Sequence, residues 1–241
     1  MKTKNLLLAS SALALLATAG EAQARNLYIS VFGGANFLSD SSGVVTTENW
    51  FGGESAETTF SFHSDADTGF VLGGVVGTHL DKWVKGLSAE VEVSYRRNDV
   101  GGTWLALSDG GEGPSFTSYG TIDANESTFA IMANLWYEID CGWKARPYVG
   151  GGAGWGRAHA DGVFRTTDNS TTLSFDIQNN GFAYQLGAGF NYDVQPGVAV
   201  GLGYRYFNGP NLAFDYFQGK QEFKLDNDSH SVLVNLTIDI N

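Results

Sequence analysis

The sequence predicts an all-β fold: a transmembrane antiparallel up-and-down β-barrel of eight strands, with ten strands as the alternative. Three observations carry this. Segments of about ten residues alternate apolar and polar side chains, the period of a strand with two unlike faces. Short links alternate with long ones, as in a membrane barrel with tight turns at one rim and loops at the other. The composition also departs from that of a water-exposed domain. Charged residues make up 17% and aromatic residues 13% of the 241-residue chain, against about 25% charged in an ordinary soluble domain.

Other classes fall away on the same grounds. The 32 Gly show no three-residue period, which excludes collagen, and a single Cys excludes a disulfide framework or a Cys-rich metal site. The net charge is −12, from 26 acids and 14 bases. This excludes nucleic acid as a main partner, because phosphate binding needs clustered Lys and Arg.

Residues 1–24 read as a secretory signal peptide. Lys2 and Lys4 form a positive start, Leu6 to Ala17 an apolar run broken by Ser10 and Ser11, and Ala22-Gln23-Ala24 a small-x-small site that predicts cleavage after Ala24. The apolar run is too short for a membrane helix, which needs roughly 20 residues. Residues 25–241 are then the barrel domain. Its net charge is −13, since Lys2, Lys4 and Glu21 leave with the peptide.

Each strand follows from its alternation. The first, about 27–37, puts Ile29, Val31, Ala35 and Phe37 on one face. The second, about 68–79, puts Phe70, Leu72 and Val76 there, blurred by Val71 and Val75. The third, 87–96, is the cleanest: Leu87, Ala89, Val91, Val93 and Tyr95 oppose Ser88, Glu90, Glu92, Ser94 and Arg96. The fourth, about 126–139, carries Phe129, Ile131, Leu135 and Tyr137. The fifth, about 145–157, carries Val149, Ala153 and Trp155. The sixth, about 182–194, carries Phe182, Tyr184, Leu186 and Phe190. The seventh, about 198–207, carries Val200, Leu202, Tyr204 and Tyr206. The eighth, about 230–240, carries Val232, Val234, Leu236 and Ile238. Short links fall near 80–86, 140–144 and 195–197. Long ones fall near 38–67, 97–125, 158–181 and 208–229, and the first of these is long enough to hide an extra strand pair.

The choice of solvent rests on the polar face. A soluble barrel hides its large apolar residues inside. Here the face opposite the large apolar residues is Gly, Ser, Asn, Gln and charge, which suits the narrow, side-chain-filled interior of an eight-stranded barrel surrounded by lipid. The predicted interior polar network is Glu90, Glu92, Arg96, Glu138, Arg146, Gln185 and Arg205. A hairpin centred near Gly142 sets Glu138 opposite Arg146 as an interior ion pair near the turn rim. Parity sends Trp136 inward as a plug. Two aromatic girdles are expected. One, on the loop side, includes Phe37, Phe70, Tyr95, Phe129, Trp155, Phe182 and Tyr206. The other, on the turn side, includes Tyr28, Trp83, Tyr137, Trp143 and Tyr192.

Several runs carry a family likeness: Tyr28-Ile29-Ser30-Val31-Phe32-Gly33-Gly34, Pro147-Tyr148-Val149-Gly150-Gly151-Gly152-Ala153-Gly154, Gly203-Tyr204-Arg205-Tyr206-Phe207 and His230-Ser231-Val232-Leu233-Val234. In this order behind a signal peptide, the chain resembles the OmpA-like and opacity-type eight-stranded bacterial outer-membrane proteins. The resemblance implies an outer-membrane location, both termini in the periplasm, and assembly by the outer-membrane insertion machinery. The chain departs from the family in ending Ile238-Asp239-Ile240-Asn241 rather than on an aromatic residue. It also leaves no length after the barrel for the peptidoglycan-binding domain of some relatives.

Candidate chemistry is sparse. His63-Ser64 with Asp65 and Asp67, and His230-Ser231, supply the residue types of an acyl-ester hydrolase. Adjacent strand residues point to opposite faces, however, so solvated polarity is the preferred reading. Asp65-Ala66-Asp67 and Asp226-Asn227-Asp228 lack the full calcium-loop pattern. Gly152-Ala153-Gly154-Trp155-Gly156 lies on a strand with no helix after it, so it is no nucleotide loop. Cys141 falls in a short turn. No catalytic residue, metal ligand or cofactor site is assigned. Between Arg25 and Lys82 there is no base, while Asp40, Glu48, Glu54, Glu57, Asp65 and Asp67 accumulate. The expected role is structural: envelope integrity and surface presentation of loops. The expected partners are outer-membrane lipid and lipopolysaccharide, with a surface or host ligand reached through the loops. A narrow porin-like channel, a lipid A-modifying enzyme and an adhesin are the alternatives.

Overall fold

The computed structural model describes residues 26–48, 57–109, 115–167, 170–216 and 221–240. The expected signal peptide and Glu54 lie outside them. The described residues form β1 (Leu27–Leu38), β2 (Ser41–Glu48), β3 (Glu57–Ala66), β4 (Gly69–His79), β5 (Leu87–Ser108), β6 (Phe116–Glu138), β7 (Ala145–Thr166), β8 (Thr172–Gln195), β9 (Val198–Asn208), β10 (Leu212–Tyr216), β11 (Gln221–Leu225) and β12 (Asp228–Ile240).

Eight strands close an antiparallel ring in the order β1-β4-β5-β6-β7-β8-β9-β12, with β12 returning to β1. The extra strand pair does not enlarge the ring to ten. The lower part of β5 pairs with β4, from Phe70↔Arg97 to His79↔Ser88. Its upper part pairs with β3, from Thr58↔Ser108 to Ala66↔Val100. The hairpin of β2 and β3 therefore stands above the ring on the extension of β5, and β10 and β11 form a separate two-stranded sheet. The three short links each turn through a glycine of positive φ, Gly86 (81°), Gly142 (70°) and Gly197 (76°), a conformation that costs other residues steric strain.

Which way the faces point changes partway up each long strand. In the lower part the apolar side chains face outward and are exposed, as with Val93, Leu135, Leu186 and Val234. Their polar neighbours Glu92, Ser94, Asn134 and Gln185 are buried inside. Above Tyr95, Phe129 and Trp155 the outward positions become Arg97, Asp99, Asn125, Asp123, Arg157 and Asp161, and beyond a buried polar level at Asn98 and Thr128 the inward positions become mainly apolar, as with Ala106, Ile122 and Ala124. There Ala158, Ala160 and Leu212 form a buried cluster with Phe175 and Ile177 packed against it. Phe60 stacks on Trp104 with ring centroids 6.0 Å apart and meets Phe164 edge-on at 6.3 Å, and Phe164 lies 5.0 Å from Phe175. A wall in lipid exposes apolar side chains, whereas a wall in water hides them. The switch thus marks the membrane boundary, and above it stands a β-lobe with its own apolar core.

Three expectations differ from this architecture. The long links are largely strand extensions rather than loops, because the apolar positions change parity at the boundary and conceal the continuing period. Tyr28, placed in the turn-side girdle, is buried and turned into the lumen. Glu138 pairs with Tyr148, and not with Arg146. This is a slip of two residues, which preserves the face of every side chain.

Candidate functional site

The polar side chains of the membrane-spanning strands converge in the lumen. Glu92 on β5 is fully buried and accepts hydrogen bonds from Asn134 Nδ2 on β6 (2.9 Å), Gln185 Nε2 on β8 (2.9 Å) and Arg205 Nη1 on β9 (2.6 Å). β5 and β9 are opposite in the ring of eight, so the Glu92–Arg205 ion pair spans the barrel's diameter. A second contact does the same: the Arg96 guanidinium lies 3.8 Å over the ring of Phe207. Arg96 also donates to Ser94 Oγ at 2.9 Å. The Arg205 guanidinium lies 4.6 Å from the Phe32 ring and 5.2 Å from that of Trp136. One cation on β9 thus touches a carboxylate and two aromatic faces drawn from three other strands. Burying it stays tolerable because partners surround it.

Toward the rim of short turns, Glu90 accepts from Tyr28 Oη (2.8 Å) and Trp136 Nε1 (2.7 Å). Below it, Arg146 Nε sits 3.0 Å from Glu138 Oε2, and Asn191 Nδ2 donates to Glu138 at 2.7 Å. Arg146 also pairs with Asp193. Toward the upper end, Ser231 Oγ donates to Asn36 Oδ1 (2.7 Å), and Asn36 Nδ2 to Asn98 Oδ1 (2.6 Å). The seven residues singled out in the sequence therefore lie along the lumen as two groups. Glu92, Arg96, Gln185 and Arg205 fill its centre with Glu90 next to them on the rim side, and Glu138 and Arg146 line its mouth.

Sequence reasoning missed Asn134, although it shares the parity of Glu138. It also missed Phe32, Phe207 and Tyr28, because aromatic residues on a polar face break the rule that defined that face. Glycine makes the room. A Cβ on Gly152 would fall 2.0 Å from Asn134 Oδ1, and one on Gly203 would fall 2.4 Å from Tyr148 Oη.

The His–Ser pairs are split. His63 lies 3.2 Å from Asp65 at the exposed surface, whereas Ser64 points inward and donates to the Ser41 carbonyl at 3.0 Å. His230 bonds the Tyr204 hydroxyl on the outer wall, whereas Ser231 is buried in the lumen. Of the acidic runs, Asp226 accepts from Asn211 Nδ2 (3.0 Å) and Asp228 from Ser39 Oγ (2.7 Å). At the rim of short turns Lys85 Nζ bridges to Asp140 at 2.7 Å. Hydrogen bonds from Lys85 and from the Gly142 backbone N–H hold the Asp140 carboxyl below the usual carboxylate range. Trp83 and Trp143 stand exposed at the same rim, and Cys141 is a free, exposed thiol.

The model of the outer membrane protein beta-barrel domain family matches residues 6–237. The chain belongs to that family. Membership places this barrel in the bacterial outer membrane, so its short turns face the periplasm and the β-lobe faces outward. No curated protein sequence matches it. Among solved structures it is similar to Neisserial surface protein A, at 14% identity and TM-score 0.46 over 88% of this chain and 96% of that one. It is also similar to the outer membrane protein OprG from Pseudomonas aeruginosa, at 14% identity and TM-score 0.46 over 89% and 96%. A third similar structure is Ail, the attachment invasion locus protein of Yersinia pestis, at 15% identity and TM-score 0.37 over 89% and 98%.

Proposed function

We propose that this outer-membrane barrel is a closed, non-enzymatic scaffold that reinforces the envelope and holds a rigid β-lobe above the cell surface. The supporting observation is the pair of contacts that cross the lumen, Glu92–Arg205 and Arg96–Phe207. A lumen joined wall to wall by buried side chains supports a plug better than a diffusion path. The lobe, with its apolar core and polar exterior, is the part offered to the outside. On this reading the chain is an OmpA-like barrel exported by cleavage after Ala24, inserted by the outer-membrane assembly machinery, and surrounded by lipopolysaccharide. Liposome swelling tests it. Vesicles carrying the protein should swell in small sugars no faster than empty ones. Swelling that grows with protein content would replace this reading with a narrow channel.

A further inference from the structure

High on the lobe, the outward faces of β2, β3, β5 and β6 make one wall. The register sets Val44, Ser61, Leu105 and Tyr119 side by side across it, with Thr46, Thr59, Leu107 and Thr117 in the row above. Three of these side chains are large, apolar or aromatic, and open to water: Val44 is 70%, Tyr119 57% and Leu107 44% exposed. The lobe already hides Phe60, Trp104 and Phe164 behind this wall, so a sheet face in water has no structural use for them outside. Apart from half-buried Leu105, serine and threonine fill the remaining positions of both rows. Adjoining exposed apolar residues with a polar rim mark a contact site for another molecule.

The frame around this patch is anionic. One row above Leu107 stand the exposed acids Glu57 and Asp109, tied by the bond from the Glu57 backbone N–H to Asp109 Oδ1 (2.9 Å). Two rows below Leu105 the pairs Asp65↔Gly101↔Asp123 put two more exposed carboxylates on the same face, and Asp99 follows beneath. Rows lie about 7 Å apart, and the four strands span about 14 Å. No Lys or Arg occurs between Arg25 and Lys82 or between Arg97 and Lys144, so these four strands carry no Lys or Arg above Arg97. The bases at the margin are engaged: His63 lies 3.2 Å from Asp65, and Arg165 of β7 lies 3.4 Å from Asp123.

We propose that this wall docks a cationic peptide segment with an apolar centre. Its aliphatic side chains lie on Val44, Leu105, Leu107 and Tyr119, and its lysines or arginines reach the acids above and below. The inference rests on the lobe being offered to the outside and not on the closed lumen. An apolar centre inside a charged rim is the ordinary anatomy of a protein contact, and the rim charges select the partner's sign. A second copy of this chain is disfavoured as the occupant, because it brings the same acids against each other. An anionic lipid surface is repelled for the same reason.

The test uses the full-length protein in nanodiscs of neutral phosphatidylcholine, with binding read by fluorescence anisotropy. The probe is a labelled peptide of about ten residues, with paired lysines at each end and leucine alternating with threonine between them. One control peptide carries glutamate for lysine, and another carries serine for leucine. The probe should bind at least tenfold more tightly than either control. Its affinity should fall at least fivefold as ionic strength rises from about 0.05 to about 0.5 M, because the rim charges are screened. Leu107→Ser/Tyr119→Ser should lose the tenfold advantage, and Glu57→Gln/Asp109→Asn should flatten the salt dependence. Trp143→Ser, at the opposite rim, should change neither. The comparison of the three peptides on the unaltered protein needs no variant, so it stands even where a variant folds poorly. Equal binding of either control peptide overturns the proposal, as does a folded Leu107→Ser/Tyr119→Ser variant that binds like the parent. Self-association of the protein that Tyr119→Ser abolishes would assign the wall to a second copy and also overturn it. Sugar permeation in the swelling assay would refute the closed lumen and leave this result untouched.

Discussion

Arg205→Met removes the cation at the centre of the lumen while keeping most of the volume of its stem. Three contacts go with it: the 2.6 Å ion pair to Glu92 and the approaches to Phe32 and Trp136 at 4.6 and 5.2 Å. Breaking one side of a buried pair costs about 3–5 kcal/mol, chiefly because the remaining charge is stranded. Glu92 is fully buried but keeps its bonds from Asn134 and Gln185. Those charge-assisted bonds place the cost at the lower end, about 3 kcal/mol. Adding Glu92→Gln removes the stranded charge, and the double variant should recover at least half of that loss. The assay is urea unfolding of the protein refolded in micelles, followed by tryptophan fluorescence, with the midpoint converted through an unchanged slope. A single variant within about 1 kcal/mol of the parent would refute the reasoning, as would a double variant less stable than the single, because either result means the pair is not buried as described.

Further outcomes follow from the same structure. Val93 and Leu107 lie on one face of β5 at 43% and 44% exposure, yet on either side of the polarity switch. Val93→Arg should cost about 2 kcal/mol in vesicles, as a charge on the lipid face does, whereas Leu107→Arg should stay within about 0.5 kcal/mol. Gly152→Ala pushes a Cβ to 2.0 Å from Asn134 Oδ1 and should cost about 1–3 kcal/mol by overpacking, seen as a lower unfolding midpoint. Asp140→Asn breaks the bridge to Lys85, but both groups stand in solvent, so its midpoint should match the parent's.

The ring of eight was legible because lipid outside and polar groups inside impose a two-residue period, which Leu87 to Arg96 shows without a break. Parity alone placed Glu92, Gln185 and Arg205 on one face, since a strand of known start fixes every direction that follows. Parity cannot say which residues meet across the ring, so the Glu92–Arg205 and Arg96–Phe207 crossings were invisible. The lobe was hidden for another reason. From Val93 to Trp104 the apolar position passes from odd to even as the surrounding solvent changes, and a search for one continuous alternation stops at that point. Phe32 and Phe207 were missed because the lumen uses aromatic rings as partners for its cations, which a polar-inside rule does not anticipate.

Single-channel recording in planar bilayers tests the bridged lumen most directly. The intact protein should give no steady conductance step, while Glu92→Ala/Arg96→Ala/Arg205→Ala, which removes both crossings, should open one. Steady steps from the intact protein, equal in size to those of the variant, would contradict the account.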